Sequence, residues 1–324
     1  MPLTDLPLEQ LKAFTPEVTE PADFDEFWAS TLAESRDAGG DVQLDPVEST
    51  LSEVIVEDLT FPGFAGEPVR AWVIRPRHLE GPLPTVVEFV GYGGGRGLPH
   101  EHLGWAASGF VNVVMDTRGQ GSAWGSGGET PDPHGAGSAF PGSMTRGILD
   151  PADYYYRRVF TDAVRLVDAV RELPFVDVDR IAATGGSQGG GITLAVAGLR
   201  DDLWAVMPDV PFLCHFRRAI EVTPMPPFTE ITRYLAVHRD QTDTVLATLS
   251  YFDGVNFARR ATAPALFSVA LMDEVVMPST VFAAYNSYAG QSEIEVYPHN
   301  NHEGGQGHQW LRQVRWLKTT PTRQ

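Results

Sequence analysis

Along most of the chain, short apolar runs alternate with segments whose apolar residues recur every three or four positions. The runs "TVVEFV", "FVNVVMD", "RIAATG", "WAVMPDV", "PALFSVAL" and "EIEVYP" have strand length, and several are nearly all apolar. A strand with one solvated face alternates in polarity, whereas a strand covered on both faces does not. Helix-compatible segments separate the runs, among them Thr161–Leu173, Gln188–Leu199 and Ser279–Ser287. The pattern predicts an α/β fold with a mostly parallel central sheet and helices on both faces. Upstream, "LSEVIVEDLTF" and "VRAWVIRP" alternate apolar and polar residues around the turn-like "PGFAGEP". They predict an antiparallel pair at one sheet edge. "DFDEFWASTLAES" sets Phe24, Phe27, Trp28 and Leu32 on one helical face, so residues 1–50 read as an N-terminal helical extension.

Two stretches break this rhythm. Gly119–Arg158 is dense in Gly and Pro, yet its near-zero charge and many aromatics predict an ordered excursion, not a linker. Pro211–Arg260 is helical in composition and lies between two strand runs, where a lid-like insertion is expected. The whole chain, 1–324, reads as one domain carrying these additions.

Composition narrows the function. With 43% apolar residues among 324, the chain has the material for a sizeable core. Against 42 acidic side chains stand 24 basic ones, a net charge of −18, which disfavours nucleic acid and acidic membranes as partners. The single cysteine, Cys214, excludes an internal disulfide and reads as a buried small residue. His100 and His102 have no third metal ligand in view. The opening "MPLTDLPLEQLKAFT" lacks the basic and apolar regions of a signal peptide, and no apolar run reaches the ~18–20 residues of a membrane span. A cytoplasmic location is therefore expected.

The candidate chemistry lies in "IAATGGSQGGGITLAVAGL", where Gly185-Gly186-Ser187-Gln188-Gly189 fits G-x-S-x-G between an apolar strand and a helical segment. On such a turn a serine hydroxyl projects above the sheet edge, and small residues on either side let the chains approach. Phosphate-loop patterns fail: no Lys follows the glycines, and the last position of G-x-G-x-x-G is Leu194 or Arg96. A serine nucleophile needs a base, an orienting acid and oxyanion donors. Asp273 directly follows the run "PALFSVAL" and is the expected acid, with Asp209 as competitor. His299, His302 and His308 follow it; His299 is too close to its strand end, and His302 sits on a loop long enough to return over Ser187. The N–H of Gln188, at a helix start, is one expected oxyanion donor. The second is the N–H of Tyr92 or Gly93 in "GYGGGRG".

These residues carry a likeness. The motifs "DTRGQGS" (with Arg118 and Gln120), "GGSQGGG", "YYYRRVFTDAVR", "DVPFLCHFRRA", "TLSYFDGVNFA", "PSTVFAAYN" and "NNHEGG" resemble those of the acetyl xylan esterase / cephalosporin C deacetylase family, carbohydrate esterases of the α/β-hydrolase superfamily. The resemblance runs over nearly the whole chain. It implies Ser187 as nucleophile, Asp273 as acid, His302 as base, and the N–H groups of Tyr92 and Gln188 as oxyanion donors. It further implies removal of acetyl groups from small acetylated sugars and cephalosporin C-type esters, without cofactor or metal. A ring-like homohexamer is also implied.

Other residues have supporting roles in this reading. Arg118 ties the Gly119–Arg158 excursion to the sheet through a buried carboxylate, Gln120 belongs to the same support, and Glu303 holds the His302 loop. Trp124, Tyr154, Tyr155 and Tyr156 offer a sugar platform, although aromatics in irregular segments more often serve local packing. The alternatives are a serine peptidase or amidase on the same fold, or a hydrolase-fold binding protein without turnover.

Overall fold

The computed structural model describes residues 3, 5–135 and 137–322. Among them, nine strands form one sheet: β1 (Gln43–Pro46), β2 (Val54–Pro62), β3 (Pro68–Pro76), β4 (Leu83–Phe89), β5 (Val111–Met115), β6 (Val176–Gly186), β7 (Ala205–Asp209), β8 (Ala265–Ala270) and β9 (Ser292–Tyr297). Their spatial order is β1-β2-β3-β5-β4-β6-β7-β8-β9. The β1, β2 and β3 edge is antiparallel, as is the β3–β5 pair, while every neighbour from β5 to β9 is parallel. The chain has the α/β architecture of the hydrolase fold.

Eleven helices accompany the described sheet: α1 (Leu8–Lys12), α2 (Phe24–Asp37), α3 (Leu103–Ala107), α4 (Tyr155–Arg171), α5 (Gln188–Leu199), α6 (Phe216–Val222), α7 (Phe228–Val237), α8 (Thr242–Ser250), α9 (Gly254–Ala258), α10 (Pro278–Asn286) and α11 (Gln306–Thr319). Consecutive strand residues feed opposite layers, as a period of two requires. Val87, Ala183, Val206 and Phe267 enter the larger core with residues of α2, α4, α5, α9 and α10. Their neighbours Val86, Ala182, Ala205 and Leu266 pack instead with Trp105 of α3 and with Val314, Trp316 and Leu317 of α11. Strands β5 and β8 are buried at every residue, which is why their runs lack alternation. The apolar, glycine-rich α5 is buried along most of its length, as a helix without a polar face must be.

Three expectations need correction. Residues 1–50 are not wholly helical, because β1 adds an edge strand to β2; its exposed "QLDP" carries no alternating signal. The excursion ends earlier than Arg158, since α4 begins at Tyr155 and Tyr154, Tyr155 and Tyr156 are core residues. Nor is all of Pro211–Arg260 a cap. Phe252, Val255 and Phe257 belong to the main core, and Phe257 lies close against Gly198 of α5.

The excursion is fastened by buried charge. Arg118, just past β5, donates to Asp162 of α4 through Nε (2.5 Å) and Nη2 (2.7 Å), and to Glu67 through Nη1 (2.6 Å). Asp132, within the excursion, accepts from Arg158 Nε and Nη2 at 2.8 Å each. The Arg118 and Asp162 side chains are only 1% exposed, so neither charge has water to replace its partner. Replacing Arg118 by Leu leaves Asp162 uncompensated. The expected loss of folding stability is ~3–5 kcal/mol, the range for removing one partner of a buried pair. Urea unfolding of the two proteins measures it, and a loss below ~1 kcal/mol would contradict a structural role.

Candidate active site

Ser187 lies between β6 and α5 with φ 57° and ψ −118°, a conformation that costs a residue bearing a Cβ. Its backbone is held there from both sides. The Ser187 N–H donates to the Asp209 carbonyl (3.0 Å), and its own carbonyl accepts from the N–H groups of Gly191 (3.0 Å) and Phe212 (2.9 Å). A Cβ on Gly189 would lie 2.0 Å from the Phe89 carbonyl oxygen, and one on Gly185 would lie 2.6 Å from the same atom. Close approach of β4 to the turn therefore demands glycine two residues before and two after the serine.

Three parallel strands deliver three side chains to one edge. Ser187 follows β6, Asp273 follows β8 and His302 follows β9. The Asp273 carboxylate is fully buried, and its Oδ1 accepts from the N–H groups of Val275 and Val276 at 2.8 Å each. Its Oδ2 is left facing His302 Nδ1 at 2.8 Å. His302 Nε2 stands 2.9 Å from Ser187 Oγ. A carboxylate at Nδ1 fixes the proton there, so the Nε2 lone pair receives the serine hydroxyl. Asn301 Oδ1 accepts from the N–H groups of His302 (2.8 Å) and Glu274 (3.0 Å), joining the loops that carry base and acid. Glu303 accepts from Asn300 Nδ2 (3.0 Å) and the Asn301 N–H (3.1 Å), and so braces the same loop. His302, and not His299 or His308, bridges serine and acid. Asp209 turns elsewhere: it accepts from Gln309 Nε2 (2.9 Å) and Gln313 Nε2 (2.7 Å) of α11.

The loop after β4 supplies backbone donors. Gly94 N–H donates to the Gly91 carbonyl (3.1 Å), so the Tyr92 N–H, trans to that carbonyl across the same peptide, points the opposite way. The Gly93 N–H is committed to Gln120 Oε1 (2.6 Å), so of these two N–H groups that of Tyr92 is the candidate donor toward the serine. Gln120 Nε2 donates to Gln188 Oε1 (2.8 Å) and Tyr155 Oη (3.0 Å); Tyr156 Oη donates to Gln188 Oε1 (2.9 Å). Gln188 Nε2 donates to the Val90 carbonyl (3.2 Å). These side chains lock the glycine loop onto the serine turn. As the first residue of α5, Gln188 has an N–H without an intrahelical acceptor.

A cavity of about 780 Å³ opens over this arrangement, lined by Tyr92, Trp124, Ser187, Pro227, Val275 and His302 among others. Trp124 Nε1 donates to the Tyr92 carbonyl (2.7 Å), and a Cβ on Gly94 would lie 2.4 Å from the indole. Trp124 therefore borders the cavity. Tyr154, Tyr155 and Tyr156 do not: they are fully buried, and their hydroxyls are spent inside the protein. The part of Tyr155 and Tyr156 in bracing the Gln120–Gln188 pair was missed from sequence, where only the unusual triple tyrosine marked them, while Tyr154 Oη donates to the Met144 carbonyl (3.0 Å). Among the described residues no helix is long and apolar enough to cross a membrane, and no group of three or more His, Cys, Asp or Glu is placed to hold a metal ion.

Comparison with known proteins places this geometry among relatives. The family model for acetyl xylan esterase (AXE1) matches residues 1–320. The structure is similar to an acetyl xylan esterase from Paenibacillus sp. R4, with 39% identity, a TM-score of 0.92, and 98% of this chain and 100% of that one covered. It is also similar to acetyl xylan esterase 1 from Thermoanaerobacterium sp. JW/SL YS485, with 35% identity, a TM-score of 0.89, and coverage of 97% and 99%. The acetyl esterase Axe7A of Xylanibacter ruminicola is 26% identical over 91% of this chain, which spans 65% of that relative's length.

Burial pushes the Asp209 carboxyl up to about 6, from an ordinary 3.8, with hydrogen bonds from Ser268, Gln309 and Gln313 opposing it. The folded chain then holds more protons than the unfolded chain between about pH 4 and 6, so stability falls as pH rises through that window. Asp209→Asn cannot ionise and lacks this slope. From pH 4 to pH 7 the wild type is expected to lose on the order of 2 kcal/mol relative to the variant. Urea unfolding at both pH values checks it, and an unchanged difference would refute the shift.

Proposed function

The chain belongs to the acetyl xylan esterase family, and from that premise we propose that it is a serine esterase removing acetyl and other short acyl groups from acetylated sugars such as xylo-oligosaccharides. Cephalosporin C-type esters fall within the proposed range. The observation that carries the reading is the unbroken line from Asp273 Oδ2 through His302 to Ser187 Oγ, with contacts of 2.8 and 2.9 Å.

In this reading Ser187 Oγ forms a bond to the acyl carbon while its proton passes to His302 Nε2. Asp273, held by two backbone donors, keeps the ring oriented and stabilises the imidazolium. Negative charge gathers on the former carbonyl oxygen, where the N–H groups of Tyr92 and Gln188 receive it. Rigid donors of this kind need no reorganisation as charge develops. Collapse breaks the bond to the alcohol, which leaves with the proton from His302. Water then attacks the acyl-enzyme by the same route, releasing acetate and restoring the serine. Family membership also supports assembly as a homohexamer.

Hydrolysis of p-nitrophenyl esters from acetate to octanoate, by the wild type and Ser187→Ala side by side, tests the proposal. Acetate turnover that declines with chain length and drops ~10³-fold or more in the variant is the expected result. Activity peaking at longer chains would refute the short-acyl assignment, and turnover indifferent to Ser187 would refute the mechanism.

A further inference from the structure

Helix α7 borders the cavity through the preceding Pro226 and Pro227, yet its Glu230 turns inward and is buried. Tyr92 Oη donates to this carboxylate, at 2.8 Å from Oε1 and 3.0 Å from Oε2. Oε2 also accepts from the Met144 N–H (3.1 Å), and the Tyr92 oxygen accepts from the Ser143 N–H (2.5 Å). The excursion is shaped around this carboxylate: Gly142 has φ +131°, and a Cβ there would lie 2.2 Å from Glu230 Oε2. The Tyr92 ring meets Phe212 edge-on, and Phe212 packs on Phe228, the first residue of α7, with centroids 4.2 Å apart. Three segments distant in sequence thus converge on one tyrosine side chain.

We infer that Glu230 is a positioning residue for oxyanion stabilisation, holding Tyr92 by its phenol so that the Tyr92 N–H stays aimed at the reacting carbonyl. This rests on the reading of Tyr92 as an oxyanion donor. The backbone side of the loop is fixed independently, by Gly94 on the Gly91 carbonyl, Trp124 on the Tyr92 carbonyl and Gln120 on the Gly93 N–H. At the side-chain end the polar anchors among the described residues are Glu230 and Ser143. A carboxylate suits the position because the phenol and the Met144 N–H both need an acceptor, and both carboxylate oxygens are acceptors. An amide keeps one acceptor oxygen but sets an NH2 group beside the Tyr92 oxygen in place of the other, and it removes the negative charge that strengthens the hydrogen bond from the phenol. Burying a carboxylate is costly unless its oxygens are filled. Filling space alone would not call for one here.

The test uses Glu230→Gln, Tyr92→Phe and the double variant in the full chain, with p-nitrophenyl acetate as substrate. Each single variant is expected to lower kcat ~10-fold, part of the ~10²–10³ lost when an oxyanion donor is removed outright, with KM changed less than ~2-fold. Binding of a short trifluoromethyl ketone, which forms a tetrahedral adduct on the serine, should weaken by a similar factor. The double variant should lose no more than the worse single one, since both cut the same link. Melting temperatures are recorded alongside. A lower melting temperature with kcat and ketone affinity unchanged would overturn the inference, as would multiplicative losses in the double variant. If Glu230→Gln does not fold, Tyr92→Phe decides alone, because it removes the phenol link and leaves the carboxylate on Met144. Wild type that fails to bind the ketone, or Ser187→Ala that still turns over acetate, would overturn the serine reading itself. A wild type that binds it, with variants that bind equally well, overturns only the role of Glu230.

Discussion

Ser187 keeps its strained backbone because the sheet leaves it no alternative. The Asp209 carbonyl from β7 takes its N–H, and Gly191 and Phe212 take its carbonyl. Relaxing φ would break these hydrogen bonds, two of which come from the buried N–H groups of Gly191 and Phe212. Those contacts exist only if β6 and β7 are parallel neighbours and β4 crowds the turn at Phe89. The parallel order also puts the ends of β6, β8 and β9 on one edge, where Ser187, Asp273 and His302 meet. One local constraint thus ties the conformation of a single residue to the topology of the sheet.

Around that point the chain trades regular structure for support. The excursion after Arg118 is irregular, but its anchors are buried and specific. Arg118 binds α4 through Asp162, Gln120 reaches the glycine loop and Gln188, and the segment around Met144 meets Glu230. An insertion bound at this many points is scaffold for the glycine loop that lines the cavity over Ser187. Its glycines fit the same role, since Gly94 makes room for the Trp124 indole that caps the Tyr92 carbonyl.

Much of this was legible in the sequence where the cause is local. Apolar runs marked β4 to β8 as strands covered on two faces, while the half-exposed edge strand β9 was marked by its length and place, and alternation marked the β2–β3 edge. Ser187 announced itself because strand, turn and helix are contiguous. The chain order of Asp273 and His302 after successive strands made their approach to it predictable. What escaped depends on distant partners or on weak local signals. The exposed β1 has no hydrophobic pattern to read. The choice between Tyr92 and Gly93 turns on Gln120, and Glu230 meets Tyr92 from 138 residues away. Tyr155 and Tyr156 looked like residues of an irregular segment because the first turn of α4 has no capping side chain to announce it.

The most direct measurement of the central claim is rapid quenching of the protein during turnover of p-nitrophenyl acetate, followed by mass spectrometry of its peptides. The account predicts one acetyl group on the peptide containing Ser187, appearing before steady state and absent from Ser187→Ala. Turnover with no acetylated Ser187, or with the acetyl group on another residue, would contradict it.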